Sequence, residues 1–499
     1  MVFSSVIFVF FFLPVVLIFY FIPSPRWRNS FFIFASLLFY AWSEGAYVLV
    51  LLLFIFCNYL LGLWLNAVDT DLDSREHSLH GLSHAARSLL ASRKAAVACG
   101  ITLNLVLLAY FKYTNFLVAN LNAHRNWFHL PPITPVSVYA PLGISFVCFH
   151  ALSYLIDCYR RNTPACTRIA PLALYLAAFP KIAAGPILPY RDAAGQLETR
   201  ALTGALFLDG IERFITGLAK KVLIANPLSV VVDSAFGLQS SDLSFFTAWA
   251  GAVCFALQIY FDFSGYSDMA IGLGKMFGFA FPENFNFPYT SQSVREFWQR
   301  WHISLSIWFR NYLYIPLGGN RGTPARTYFN LVLVFLLCGL WHGASWNFLV
   351  WGAWYGFFLV LERTRFGTPL RLAWRPVRHL YLLLVVTFGW VFFRADSLMH
   401  ALAYMKAMLG FNWVETSGRF AVHLSGEILL LVPLAAILCL PVFGALKTFG
   451  KDALGINLSS AGISFGFYAA YTAALGFLFF VSCLALAGGT HKAFIYFNF

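Results

Sequence analysis

Charge is what this sequence has least of. Only 11% of its 499 residues are Asp, Glu, Lys or Arg, about half the charged share of an average soluble domain. That scarcity excludes an ordinary water-soluble fold. Paired cysteines are missing too: the nine cysteines are an odd number, form no CxxC, and several, such as Cys57, Cys254, Cys439 and Cys483, sit inside apolar runs. Neither a disulfide framework nor a zinc cage follows from them. His77, His80 and His84 share a polar loop with no cysteine partner, so a solvated loop is the better reading than a metal site. Residues 1–22 have no basic residue ahead of their apolar core and no small-residue cleavage site after it. They read as a first transmembrane helix and not as a removable signal peptide. No repeat period and no separate soluble domain interrupts the chain, and 1–499 is expected to form one membrane domain.

What is present in quantity is apolar surface. The chain is 60% hydrophobic and 19% aromatic, with a mean hydropathy of +0.71, which defines an all-α polytopic membrane protein held in a lipid bilayer. Apolar runs near the spanning length of about 20 residues fall near 3–22, 30–43, 46–66, 95–118, 137–157, 169–188, 243–262, 328–343, 346–362, 380–394, 425–446 and 461–487. Some are short or interrupted, which gives about ten to thirteen crossings. The net charge of +13 comes from Lys and Arg in short loops; these set topology and are no nucleic-acid footprint. With the N-terminus outside, three basic groups face the cytoplasm: Arg26 with Arg28, the loop from Arg75 to Lys94, and Arg160 to Arg168. Counted from the other end, Arg371, Arg375, Arg378, Lys447 and Lys451 face the same way. Both termini then project to the outer side.

Two regions break the apolar pattern. Residues 189–240 mix charge with apolar residues and are expected to lie along an interface or pack inside a large bundle rather than cross it. Residues 262–325 are rich in Gly, Pro, Ser, Asn and Arg. Irregular backbone at membrane depth must be covered by protein or line a wet cavity, so a re-entrant wall of such a cavity is expected here. Within it, Asp262 and Asp268 flank a break at Gly265 and are read as helix caps or as partners of a nearby Arg.

The stretch Phe297–Trp346 carries the costliest residues, two histidines among apolar helices, and an ionisable group at that depth marks a site. His342 ends the apolar run before Gly343. A neutral imidazole with a pKa near about 6.5 is a competent base, and desolvation keeps it neutral; a packed histidine bonded to a carbonyl explains it equally well. Around His302, Trp298, Trp301, Trp308 and Phe309 recur at helical spacing, opposite a polar stripe of Arg295, Gln299, His302, Ser306 and Arg310. An interfacial amphipathic helix is the plainer account. Arg295, Arg300, Arg310 and Arg321 equally suit the phosphates of a cytosolic cofactor. Cys338 shares a helix face with His342, and packing explains it better than a thiolate pair. The aromatic tail, 488–499, either anchors at the interface or re-enters the cavity to present Tyr496. A phenol with a pKa near about 10 forms an activated ester.

Several stretches together resemble the membrane-bound O-acyltransferase superfamily. They are Met1-Val2-Phe3-Ser4-Ser5, Pro141-Leu142-Gly143-Ile144-Ser145-Phe146, Phe179-Pro180-Lys181-Ile182-Ala183-Ala184-Gly185-Pro186, Tyr260 to Gly272, Phe297 to Asn320 and Gly339 to Gly343. Within it they are similar to the bacterial branch of alginate O-acetyltransferase-like proteins and the teichoic-acid D-alanyl transfer protein, and the likeness runs almost end to end. It implies a multi-helix bundle around a central funnel and tunnel. His342 falls at the superfamily's catalytic histidine and His302 at its second histidine position, with Trp341, Asp262, Asp268 and Asn311 lining the tunnel. The resemblance further implies acetyl-CoA as cytosolic acyl donor with no metal, and a place in the bacterial inner membrane. The implied partners are a polysaccharide synthase complex and a periplasmic acetyltransferase- or esterase-like protein that completes transfer to alginate, cellulose or a similar polymer. Tyr496 is implied as carrier of the acyl group. Cys338 departs from relatives that look to have Gly, which weakens any need for a thiol. D-alanyl transfer fits less well, because the closer match is to the acetyl branch. The rival class is a glycan or lipid transporter, which predicts internal repeats and paired broken helices; none is visible.

Overall fold

Lipid offers the backbone no hydrogen-bond partners, so a chain this apolar must satisfy its peptide groups within helices. The structure, a computed structural model, describes residues 2–22, 24–70, 92–134, 137–412, 424–442, 461–489 and 494, and among these there is no strand. Seven helices are long and apolar enough to cross a membrane: Tyr47–Val68, Arg93–Arg125, Gly204–Phe236, Phe245–Met276, Pro324–His342, Arg375–Arg394 and Ala469–Ala487. Four shorter apolar helices accompany them among the described residues: Phe8–Phe21, Ile144–Tyr159, Trp346–Leu361 and Gly426–Leu438. His77, His80, His84, Lys447, Lys451 and Tyr496 lie outside the described residues.

Three segments differ from the sequence reading. The apolar run 169–188 does not form one helix; it ends at Ala177, turns through Ala178 with ψ 114°, and resumes as the short turn Phe179–Ile182. Residues 204–236, expected along an interface or inside the bundle but not across it, form one continuous helix long and apolar enough to cross, which widens into a π-turn at Lys220–Ala225. The break expected at Gly265 is absent, and Phe245–Met276 runs unbroken through it. Asp262 and Asp268 are therefore mid-helix and cannot be caps.

The described chain forms two compact units. The first comprises Ile7–Phe207 with Gly274–Pro282. Its centre is a cluster of phenylalanines, in which Phe32 lies 4.8 Å from Phe277 and 5.2 Å from Phe179, with Phe12 5.6 Å from Phe179. Asn58 and Asn104, both fully buried, satisfy each other at 2.9 Å.

The second unit comprises Val2–Val6, Leu208–Leu273 and Glu283–Phe499. Its two long helices touch backbone to backbone. A Cβ on Gly217 would stand 2.5 Å from the Gly265 carbonyl oxygen, and one on Gly265 would stand 2.7 Å from that of Gly217. Small residues allow this approach and dispersion rewards it. Pro324–His342 and Trp346–Leu361 pair in the same way, Gly339 against the Phe348 carbonyl and Gly352 against that of Phe335.

Close approach brings opposite charges together. Lys221 and Asp262 pair at 2.8 Å, both almost wholly buried. Six residues further along the helix, Asp268 accepts from Arg213 at 2.7 Å and Lys220 at 2.6 Å, while Arg213 also holds Glu283 at 3.0 Å. The two aspartates thus serve as charge partners, with Lys as well as Arg.

Lys221→Met should leave Asp262 charged and alone, lowering stability by about 3–5 kcal/mol, whereas Lys221→Met with Asp262→Leu should recover most of that loss. Thermal unfolding of the purified protein in nanodiscs checks this; a single variant as stable as the parent would sink it.

Candidate active site

His302 does not sit on a continuous amphipathic helix. Helix Val294–Arg300 ends at Trp301, and a new one, Ile303–Phe309, starts after His302. His302 is the residue between them, with φ 44° and ψ 54° in the left-handed region. Histidine is among the few side chains found there with any frequency, and a non-glycine residue so held is a common mark of functional sites. The turn carries the ring inward, where the residue is fully buried.

Asn284, on the segment leading into this hairpin, holds the ring. Its side-chain oxygen lies 3.0 Å from His302 Nδ1 and accepts from the Ser304 hydroxyl at 2.9 Å and the Ser304 N–H at 3.3 Å. Its amide nitrogen donates to the Ser267 hydroxyl at 3.0 Å, and its carbonyl oxygen accepts from the Ile303 N–H at 3.0 Å. An amide oxygen only accepts, so His302 must carry its proton on Nδ1. Nε2 then carries the free lone pair, buried and without a hydrogen-bond partner among the described residues. Desolvation brings the pKa down to about 3 from 6.5, which keeps the ring neutral at any physiological pH. What Nε2 offers a bound group is a lone pair that accepts a hydrogen bond.

His342 closes the helix Pro324–His342, as expected, and is 4% exposed. Three rings enclose it: Trp351 at 4.9 Å, Trp341 at 5.0 Å and Phe393 at 5.4 Å. Trp341 also lies 6.2 Å from His302, so the structure brings both histidines to one indole. Cys338 is buried on the same helix, in keeping with packing.

The long helix Phe245–Met276 supplies the opposite wall. Phe263 meets His302 edge to face at 4.7 Å. Phe494 of the aromatic tail lies 5.8 Å from Phe263 and stacks on Tyr266 at 4.4 Å. Phe494 is therefore inside the unit, against the ring that meets His302.

The basic residues proposed from sequence are less gathered. Arg300 is bonded to Glu296 at 3.0 Å and to the Asn286 carbonyl at 3.2 Å, and Arg310 to the Asn311 side chain at 3.3 Å. The Arg295 N–H donates to Glu362 at 3.2 Å, and Arg321 is exposed. Asp262 and Asp268 are held by the ion pairs described above. Among the described residues no group of three or more His, Cys, Asp or Glu side chains is placed to hold a metal ion. Asn284 and Ser267 were missed from sequence: Asn284 lies 18 residues before His302, beyond any helical spacing, and only the Asn-rich run around it hinted at a polar role.

Imidazoles buried among aromatic rings and shielded from water suit acyl transfer, because water would consume an activated acyl group. The chain belongs to the membrane-bound O-acyltransferase family, whose model matches residues 165–403, and it is an O-acyltransferase and a multi-pass membrane protein. It is 41% identical to the probable alginate O-acetylase AlgI of Pseudomonas putida over 509 residues, covering 100% of both chains. It is 34% identical to the peptidoglycan O-acetyltransferase of Helicobacter pylori, over 86% of this chain and 82% of that one. With the teichoic acid D-alanyltransferase of Bacillus subtilis the identity is 26%, over 53% of this chain and 69% of the relative.

Nitrogen-15 shifts of labelled histidine should show the His302 proton on Nδ1. Asn284→Ala, which strands that proton, should lose the fixed tautomer and cost about 1–3 kcal/mol. A wild-type proton on Nε2 would refute the assignment.

Proposed function

We propose that the protein takes acetyl groups from cytosolic acetyl-CoA and passes them across the bacterial inner membrane for O-acetylation of an exported polysaccharide. The observation that carries this is the buried Nε2 of His302, without a hydrogen-bond partner among the described residues, beside Phe263, against which Phe494 packs. Transfer to a polymer is supported by the likeness to a probable alginate O-acetylase and a peptidoglycan O-acetyltransferase. Basic residues in the loops support an orientation with both termini in the periplasm. The polymer would be alginate, cellulose or a similar chain. A synthase complex would export it, and a periplasmic acetyltransferase- or esterase-like partner would finish transfer.

In the proposed reaction the Tyr496 hydroxyl attacks the thioester carbonyl. Its proton passes to neutral His342, the carbon–sulfur bond breaks, and the imidazolium returns the proton to the departing thiolate. The balance is one tyrosyl acetate and one free thiol. Tyr496 follows by two residues Phe494, which packs on Phe263 and Tyr266. His302 would orient the donor or polarise its carbonyl; with the Nδ1 proton directed at Asn284, the orienting role through Nε2 is the better supported of the two. Trp341, Asn311, Asp262 and Asp268 are proposed as tunnel walls. Arg295, Arg300, Arg310 and Arg321 are proposed near the donor phosphates, where Arg300 would have to exchange its bond to Glu296.

His342→Ala should lower acetyl-CoA consumption and polymer acetylation by about 100-fold or more; wild-type rates would reject the assignment. Tyr496→Phe should abolish acetyl delivery and leave the fold intact. A fully acetylated polymer from that variant would reject the carrier and leave the enzyme standing.

A further inference from the structure

Residues from near the two ends of the sequence meet on one side chain. Tyr266, on the helix Phe245–Met276, is stacked on one side by Phe3, with centroids 4.9 Å apart and planes 17° apart, and by Phe494 at 4.4 Å and 20°. All three residues are buried, at 0%, 2% and 1% exposure for Phe3, Tyr266 and Phe494. Phe494 reaches Phe263 as well, one turn earlier on the same face, and Phe263 is the ring that meets His302. The next residue, Ser267, anchors Asn284 and through it the His302 tautomer. One turn of helix therefore orients the base and receives the tail.

We propose that Tyr266 is the seat of the aromatic tail, and that Phe3 and Tyr266 are positioning residues that hold Phe494 so that Tyr496 can be acylated. The proposal rests on the reading of Tyr496 as acyl carrier. Ring stacking suits the task, because offset aromatic contact is specific in geometry yet holds no covalent or charged bond. A carrier must leave the base after loading, and such a seat can release it. Phe3 makes the seat two-sided: without it, Tyr266 would face the tail with one of its own faces unsupported.

The test uses full-length protein in nanodiscs with acetyl-CoA, comparing wild type, Phe3→Ala, Tyr266→Leu and Tyr266→Phe. Carboxypeptidase digestion reads the seating of the tail, and mass spectrometry of the C-terminal peptide reads acetyl on Tyr496. Phe3→Ala and Tyr266→Leu should each speed digestion about tenfold and lower acetyl-Tyr496 by a similar factor, while Tyr266→Phe, which keeps the ring, restores both. Unchanged digestion in both Phe3→Ala and Tyr266→Leu would overturn the seat, whatever Tyr496 does. Wild-type protein with no acetyl on Tyr496 but with digestion that depends on Phe3 and Tyr266 would overturn the carrier reading and uphold the seat.

Discussion

A lysine ammonium and an aspartate carboxylate, Lys221 and Asp262, meet at 2.8 Å where neither can be reached by water, and the second unit is arranged around that necessity. Two charges in an apolar interior are tolerable only as partners. They can be partners only because Gly217 and Gly265 let their helices approach to backbone contact. The same contact fixes the helix Phe245–Met276 in register. Phe263, Tyr266 and Ser267 lie on that helix within two turns of Asp262, so the position of the histidine's wall, of the tail's seat and of the Asn284 anchor all depend on one ion pair and the glycines that permit it.

The site shows a division of labour between polar and aromatic contacts. Hydrogen bonds through Asn284 and Ser267 determine which nitrogen of His302 is basic. Rings determine where the imidazoles are and what surrounds them: Phe263 and Trp341 for His302, Trp341, Trp351 and Phe393 for His342. Phenylalanine and tryptophan bring no competing acceptor, so they exclude water without offering the reacting proton another destination. An unusually aromatic composition, which by itself speaks only of lipid contact, here also encloses the two buried histidines of the proposed site.

The family, the helical class and both histidines were legible in the sequence, because an imidazole in an apolar run is costly wherever it stands. What was not legible shares one cause. Trp298, Trp301, Trp308 and Phe309 fall at spacings that suit a helix, yet the chain turns between Trp301 and Ile303; periodicity reports which residues are apolar, and a single left-handed residue does not disturb it. Gly265 looked like a break because glycine ends helices in water, whereas in a packed bundle it admits a neighbour. The charges at Arg213, Lys220 and Lys221 suggested an interface only while their partners at Asp262, Asp268 and Glu283, more than 40 residues away in sequence, were unknown.

The left-handed turn at His302 narrows what evolution can place there. Most side chains are resisted by that backbone before any chemistry is asked of them, while asparagine, aspartate and glycine are not. Of these, asparagine alone keeps a neutral polar head on a branched stem. Drift away from histidine at this position is therefore funnelled toward an amide that preserves the hairpin and can hydrogen-bond but cannot take up a proton, so the backbone itself selects which kind of lost or altered enzyme the fold can become.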